Sequence, residues 1–403
     1  MDTLNARLLV APEELLRALD QECLQDYLKS GGASVKVISG AEVNLNFVRE
    51  RLRERARQEG YHYAVLDPAR LEAGGKRKDL HRIDRFFFEV TSGVDWKAWA
   101  REQARRYLEE HGIYVAAHRQ LDDLDGIAQD NDRSPNDLLN QYQREFATAQ
   151  LRDNAMSLEF RTAVTALGRA QLIPDAVSPT TEEVMLKWFA GRTMPGASNT
   201  LKRVQIYERI SLANARSMLV SFCHWLPLTG HNGLVVTLDF RPYEHKKIPT
   251  TQRLAEQLRR IDEALARGAT AQELAALRAA VGEEPTVTYS DAAYMQMLAL
   301  IRRFIDEIDG FERFLLVILT SPAFYDSDSR RNYNNYDALQ TRIGLEVRDT
   351  RKANPAAALV HIGDPETGVK TIVETTTTLT RQSGEEASRI GYLGISSTGG
   401  QTE

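Results

Sequence analysis

The sequence predicts an α/β protein built on a parallel sheet, with a large helical insertion. Three observations carry this expectation. Short apolar runs recur at 35–38, 61–66, 233–239, 314–319 and 358–362, mostly bounded by Gly, Asp or Pro. They have the length and composition of buried strands. The first two flank a helical pattern, giving strand, helix and strand within roughly 30 residues, the size of a βαβ unit. The long interval before the third run is almost entirely helical in pattern, which makes it an insertion.

Each element has its own signal. Residues 12–29 place Leu15, Leu16, Leu19, Cys23 and Leu24 at helical spacing, and Gly31 and Gly32 end the pattern. Val35 to Ile38 follows as a strand. Residues 44–58 read as a helix, and Tyr61 to Leu66 as a strand closed by Asp67 and Pro68. Between 79 and 225 the clear helical pieces are 94–111, 136–170, 181–190 and 209–225, while the polar, acidic stretch Asp122 to Pro135 reads as a loop. Gly233 to Asp239 returns to the sheet. A helical pair is expected over 250–281. Leu254, Leu258, Ile261 and Leu265 form one stripe, and Thr270 with Glu273 makes a capping-box start. A helix over 289–309, a buried strand from Phe314 to Leu319 and a last strand from Ala358 to Ile362 complete the order. Residues 363–403 are rich in Thr, Gly and Glu, poor in apolar residues, and expected to be mobile. The expected division is an N-terminal helix over 1–33, an α/β domain over 34–362 with its insertion at about 94–225, and a C-terminal tail over 363–403.

Composition excludes several classes. The chain has 403 residues, is 42% hydrophobic, and carries 51 Lys and Arg against 56 Asp and Glu, a formal charge of −5. That is too apolar for a disordered chain and not the basic balance of a typical nucleic-acid binder. No apolar run approaches the ~18 residues of a membrane span, and the first residues have no signal-peptide pattern. Cys23 and Cys223 suit a reducing compartment, so a cytoplasmic location is expected. The length alone would suit two or three domains of roughly 150 residues; the element order favours one.

Three segments carry a family resemblance: FIDEIDGFERFLLVILTSPAFYD at 304–326, IYERISLANARSMLVSFCHWLPLTGHNGLVVTLD at 206–239, and NPAAALVHI at 354–362. Together they resemble the P-loop ATPase family associated with BREX-type phage-defence systems, an AAA+/ORC-like group. The resemblance runs over residues 12–362. It implies a P-loop NTPase sheet with a Walker A turn after the first strand, a Walker B strand at 234–239 and a sensor-like turn at Thr320-Ser321-Pro322-Ala323-Phe324.

The nucleotide motifs depart from that pattern. A working phosphate loop, G-x-x-x-x-G-K-[ST], wraps phosphates in backbone N–H groups, with Lys on the β/γ oxygens and a hydroxyl on Mg²⁺. The corresponding turn is Ser39-Gly40-Ala41-Glu42-Val43-Asn44-Leu45-Asn46-Phe47. Only Gly40 matches; the second glycine, the lysine and the hydroxyl residue are absent, and Glu42 puts negative charge where a triphosphate would sit. Asp239 stands where a Mg²⁺ ligand would, but Phe240 follows it in place of the glutamate that orients water. Glu244 lies beyond Pro242 and is a poor substitute. Gly40, Asn44, Asn46, Asp239, Thr320 and Ser321 are therefore read as a vestigial nucleotide site. Arg330, Arg331 and Arg342 are candidate arginine fingers, with a solvated surface role as the stronger reading for the first two.

Lys76, Arg77, Lys78, Arg82 and Arg85, backed by Phe86, Phe87 and Phe88, form the densest basic stretch and a candidate DNA contact, against the plainer reading of a charged loop entering a core element. Arg49, Arg51, Arg53, Arg55 and Arg57 are offset by Glu50 and Glu54 and read as a solvated face. The acids at Asp123, Asp125, Asp130 and Asp132 fail the calcium-loop spacing, and no His/Cys metal pattern occurs. Cys223 and His224 are neighbours whose side chains diverge on a helix.

The resemblance and its departures set the functional expectation. The chain is expected to be a non-catalytic, pseudo-ATPase subunit of a bacterial anti-phage system, with no bound cofactor and no metal. Its expected partners are other defence proteins (a helicase, a methyltransferase or an active ATPase paralogue), with oligomerisation and DNA contact open. The alternatives are a divergent ATPase using Gly40 and Asp239 for ATP and Mg²⁺, and a DNA-binding module working through residues 76–85.

Overall fold

The computed structural model describes residues 9–70, 78–192, 194–244, 250–270, 273–275, 277, 288–325, 331–344 and 353–363. Five strands form a single parallel sheet: β1 (Ala33–Gly40), β2 (His62–Leu66), β3 (Leu234–Asp239), β4 (Phe314–Thr320) and β5 (Leu359–Ile362), in the spatial order β2-β3-β4-β1-β5. All five expected apolar runs are strands. The βαβ expectation is refined: β1 and β2 run parallel but are not neighbours, because β4 and β3 lie between them.

Period-two alternation divides the strands between two cores, as a sheet covered on both faces requires. Val37, Leu66, Leu234, Val236, Leu238, Leu316 and Ile318 face the larger core. Ile38, Tyr63, Val235, Leu315, Val317, Leu319, Val360 and Ile362 face the smaller one. The smaller core is closed by α1 (Pro12–Ala18), which continues as a π-helical stretch Leu19–Tyr27, and by α2 (Glu42–Gln58), through Leu15, Leu19, Leu24, Leu45, Val48 and Leu52. The stripe at 45, 48, 52 and 56 is the apolar face that makes α2 amphipathic.

The stretch between β2 and β3 holds α3 (Ile83–Val90), which precedes the insertion expected at about 94–225, and within that insertion α4 (Trp96–Glu110), α5 (Leu124–Asp130), α6 (Pro135–Arg152), α7 (Leu158–Leu172), α8 (Pro179–Phe189), α9 (Ala197–Arg203) and α10 (Ala215–Trp225). Its aromatic residues build the larger core. Trp96 stacks on Phe189 at 3.7 Å between ring centroids, and Trp225 donates its indole N–H to Gln103 at 2.9 Å, so its polar edge is satisfied inside. The helix expected over 136–170 is broken at 153–157, where Asp153 bonds the Ala155 amide and begins a turn. The loop expected over 122–135 contains α5, capped by the Asp123 carboxylate on the Gly126 amide. A third apolar cluster joins α4, α5, α6 and the end of α7.

After β3 come α11 (Arg241–Glu244), α12 (Thr250–Ala266) and α13 (Asp291–Asp306), then β4, α14 (Asp337–Gly344) and β5. Of the stripe on α12, Ile261 is buried while Leu258 and Leu265 are about half exposed. Thr270 accepts from the Glu273 amide at 3.2 Å, as the capping-box reading requires. Most of the second helix expected to 281, and the tail from 364, lie outside the described residues. Among the described residues, no helix is long and apolar enough to cross a membrane.

Candidate functional site

The C-terminal edge of a parallel sheet is where α/β proteins assemble ligand sites. Here β1, β3 and β4 end beside one another, and the vestigial-site residues Gly40, Asp239, Thr320 and Ser321 all lie there. Asn44 and Asn46 stand on the first turns of α2, directly above.

No phosphate-wrapping loop joins β1 to α2. Gly40 is the last residue of β1, Ala41 alone intervenes in extended conformation (φ −63°, ψ 150°), and the helix begins at Glu42. Gly40 does not adopt a left-handed backbone. Its lack of a side chain serves packing instead. A Cβ there would meet Ile362 Cγ1 at 2.5 Å and the Ile362 carbonyl oxygen at 3.1 Å. Ser39, paired with Thr320 and His361 across the sheet, is buried, and its hydroxyl has no hydrogen-bond partner among the described residues.

Asp239 is 5% exposed, and its charge is already matched. Arg241, two residues on, donates its Nε to Oδ1 at 2.8 Å and Nη2 to Oδ2 at 2.5 Å, and its backbone N–H reaches Oδ1 at 3.2 Å. This two-pronged pairing of a planar guanidinium with a carboxylate is the strong form of the interaction. The same guanidinium reaches Asn46 Oδ1 at 3.5 Å and lies 3.8 Å from Glu42, while Arg49 stands 3.9 Å from Asp239. A fixed cation of the chain thus lies against the Asp239 carboxylate at the sheet edge. The guanidinium of Arg241 is held firmly charged by its hydrogen bonds to Asp239.

Phe240, the residue after Asp239, is fully buried and stacks on Tyr243 at 5.9 Å. Glu244 enters the site from an unexpected direction. The short turn of α11 carries it back to β4, where it accepts the Ser321 backbone N–H at 2.9 Å and the Ser321 hydroxyl. Withdrawal from water pushes its carboxyl up to about 7, with the Ser321 hydrogen bonds and Arg241 opposing the rise and the charge of Asp239 adding to it. Thr320 is turned inward, its hydroxyl donating to the Ile38 carbonyl at 3.3 Å and lying 3.4 Å from the Tyr325 hydroxyl. The hydroxyls of Thr320 and Ser321 are therefore both engaged within the protein.

The arginine candidates lie elsewhere. Arg331, expected on a solvated loop, is 4% exposed. Its guanidinium bonds Asp291 at 2.8 Å and the Tyr243 carbonyl at 2.9 Å, and lies 5.4 Å from the Tyr294 ring. It ties the chain after β4 to α13 and α11. Arg342 pairs with Asp306 through Nη2 at 3.0 Å, joining α14 to α13. Arg330 is outside the described residues.

Two members of the basic stretch are committed to ion pairs. Lys78 pairs with Glu89, and Arg82 with Asp84 at 2.9 and 3.2 Å. Arg85 is exposed and, with Lys78, Phe88, Lys97 and Arg192, borders an open cleft of about 860 Å³. Lys76 and Arg77 are outside the described residues. Of the α2 arginines, Arg51 and Arg53 pair with Glu54 and Glu50 at the surface, while Arg49 turns toward Asp239. Among the described residues no group of three or more His, Cys, Asp or Glu could hold a metal ion. Cys23 and Cys223 are both buried, in the cores on opposite sides of the sheet.

The residues sequence reasoning missed are Arg241 and, as a participant, Glu244. The signal for the first was present in Asp239-Phe240-Arg241, whose i,i+2 spacing lets a turn fold the guanidinium onto the carboxylate. Glu244 was discounted for the intervening Pro242, yet that proline stands within the α11 turn that brings it back. No protein-family model, curated protein or solved structure matches the chain.

Proposed function

We propose that this chain is a P-loop NTPase-type domain that has given up phosphoryl transfer and acts as a non-catalytic subunit of a bacterial anti-phage defence system, in the cytoplasm. The observation that carries the loss of chemistry is the Asp239–Arg241 pair. A Mg²⁺-dependent site needs an acidic group free to take the ion's water or oxygen ligands; here a built-in guanidinium occupies that carboxylate. Two features agree with this reading. The one-residue join between β1 and α2 leaves no loop to surround phosphates, and Phe240 offers no base at the position after Asp239.

The defence assignment rests on the family resemblance of residues 12–362 and on nothing in the site itself. In that reading the α/β architecture serves contacts with other proteins of the system, such as a helicase, a methyltransferase or an active ATPase paralogue.

Calorimetric titration of the purified chain with ATP and Mg²⁺ tests the first half. No heat of binding is expected up to millimolar ATP, and no phosphate release. Micromolar binding, or turnover that Asp239→Ala abolishes, would establish a divergent ATPase instead. Co-purification from a host encoding the full system tests the second half. Recovery of none of the system's other components would remove the proposed role.

A further inference from the structure

Tyr294 carries a buried donor that nothing in the fold uses. It lies on the first turn of α13 and is 3% exposed. Its hydroxyl has no hydrogen-bond partner among the described residues. Leaving such a group unpaired away from water is costly, so each one calls for a reason. Its ring is held on the apolar side by Phe240, at 6.0 Å between centroids, and has the Arg331 guanidinium 5.4 Å away. Only the hydroxyl is left unsatisfied.

The group nearest in chemistry is Glu244. Its short helix α11 packs on α13, and its charge acts on the Tyr294 hydroxyl. Its partners are the Ser321 backbone N–H and the Ser321 hydroxyl. Those two suit a protonated carboxyl: one oxygen accepts the amide, and the other shares a proton with the serine. They are too few for an ionised one, which offers about four lone-pair sites. The nearby cations are committed elsewhere. Arg241 is spread over both oxygens of Asp239, and Arg331 serves Asp291 and the carbonyls of Tyr243 and Tyr289. The charged and titratable groups around Glu244 are thus Asp239 from β3, Arg241 from α11, Tyr294 from α13 and, across the Tyr294 ring, Arg331.

We infer that Glu244 is a proton-operated tie between α11 and α13. Ionised, the carboxylate takes the Tyr294 hydroxyl as a third donor and draws the start of α13 toward the end of β4. Protonated, it is satisfied by Ser321, and the Tyr294 hydroxyl stays unpaired. A hydrogen bond to an ionised acceptor is roughly twice as strong as one to a neutral acceptor, so the pull arrives with the charge. Asp291 opens α13 and holds Arg331 at 2.8 Å, so movement of that first turn passes to the chain after β4.

The proton balance places the change in the neutral range. Burial, the largest influence, holds the Glu244 carboxyl up at about 7, with Asp239 adding to the rise and Ser321 and Arg241 opposing it. Burial also pushes the Tyr294 hydroxyl above its ordinary value, with the charge of Glu244 adding and Arg331 opposing, so it keeps its proton and remains a donor throughout. Because the folded value for Glu244 lies above the ordinary 4.5, the fold favours the protonated acid. The tie offsets part of the cost of ionisation, and removing Tyr294 Oη should therefore push the Glu244 carboxyl higher still. The tie requires no nucleotide, so it stands whether or not the chain binds ATP.

The test is carbon NMR of the full chain with its tyrosines labelled at Cζ, an atom whose shift reports hydrogen bonding of the hydroxyl. The Tyr294 signal is the one missing from Tyr294→Phe. It should move with a midpoint near pH 7 in the wild type and stay fixed across the same range in Glu244→Gln. Urea unfolding supplies the second measurement. At about pH 5.5 the Tyr294→Phe variant should keep a folding equilibrium constant no lower than wild type, and at about pH 8.5 it should lose roughly 10-fold. In the Glu244→Gln background Tyr294→Phe should cost nothing further at either pH. A Tyr294 signal that does not move, or that moves equally in Glu244→Gln, would overturn the tie. So would a Tyr294→Phe loss of the same size at both pH values, because the hydroxyl would then serve packing alone.

Discussion

Replacing Arg241 by alanine tests the physical core of the proposed loss of chemistry. The substitution removes the partner of a carboxylate that is 5% exposed and leaves it charged among apolar strands. Breaking a buried pair from one side costs about 3–5 kcal/mol, because the remaining charge has lost both water and its counter-ion. Two features place this site near the lower end. Arg49 remains 3.9 Å from Asp239, and the backbone N–H at 241 persists in the variant. The expected loss is thus about 3 kcal/mol, roughly a hundredfold in the folding equilibrium. Urea unfolding followed by tryptophan fluorescence reports it, since Trp96 and Trp225 sit in the larger core. The midpoint should fall with little change in slope. Asp239→Asn in the Arg241→Ala background should recover most of the loss, because a neutral amide needs no counter-ion. A single variant within about 0.5 kcal/mol of wild type would refute the reasoning, as would a double variant no more stable than Arg241→Ala.

Three further outcomes follow from the same structure. Glu244 has a folded pKa raised to about 7 against an ordinary value of 4.5, so it favours the folded state fully below about pH 4.5 and loses that contribution as pH rises through 7; Glu244→Gln should therefore stabilise the protein at pH 8 by up to about 3 kcal/mol and change little at pH 4, as read from denaturant curves at the two pH values. His62 is shifted the other way, down to about 4 by burial, so its neutral form is favoured in the fold and stability falls as pH drops from about 6.5 to 4; His62→Asn should flatten that part of the pH–stability profile, with the depressed His81 and His231 leaving a residual slope of the same sign. Gly40→Ala should cost about 1–3 kcal/mol through its collision with Ile362, and Ile362→Ala should relieve part of that cost in the double variant; full additivity of the two losses would show that Gly40 is not a packing glycine.

The strands were legible because burial on both sides makes them apolar throughout, and runs such as FLLVIL at 314–319 need no partner to be recognised. The amphipathic stripe of α2 was equally visible, since Leu45, Val48, Leu52 and Ala56 repeat with the turn of the helix. Asp122 to Pro135 was misread for a local reason. Its short helix has only about two turns of pattern, and its acids advertise solvent, whereas Ile127 is held by residues of α4, α6 and α7 from outside the segment. Arg331 was misread because a guanidinium in a polar loop gives no sign of burial; the carbonyls of Tyr243 and Tyr289 that hold it come from distant parts of the chain.

The sequence by itself determined the strands of the sheet and the helical stretch between the second and third of them, because each is written in local composition and periodicity. Strand order, with β4 and β3 set between β1 and β2, depended on which apolar faces could be covered together, and no local pattern records that. The state of Asp239 was likewise a tertiary decision. A strand-end aspartate is compatible with a metal ligand, a helix cap or an ion pair, and only the fold of the next two residues brings a guanidinium to 2.5 Å and makes it an ion pair.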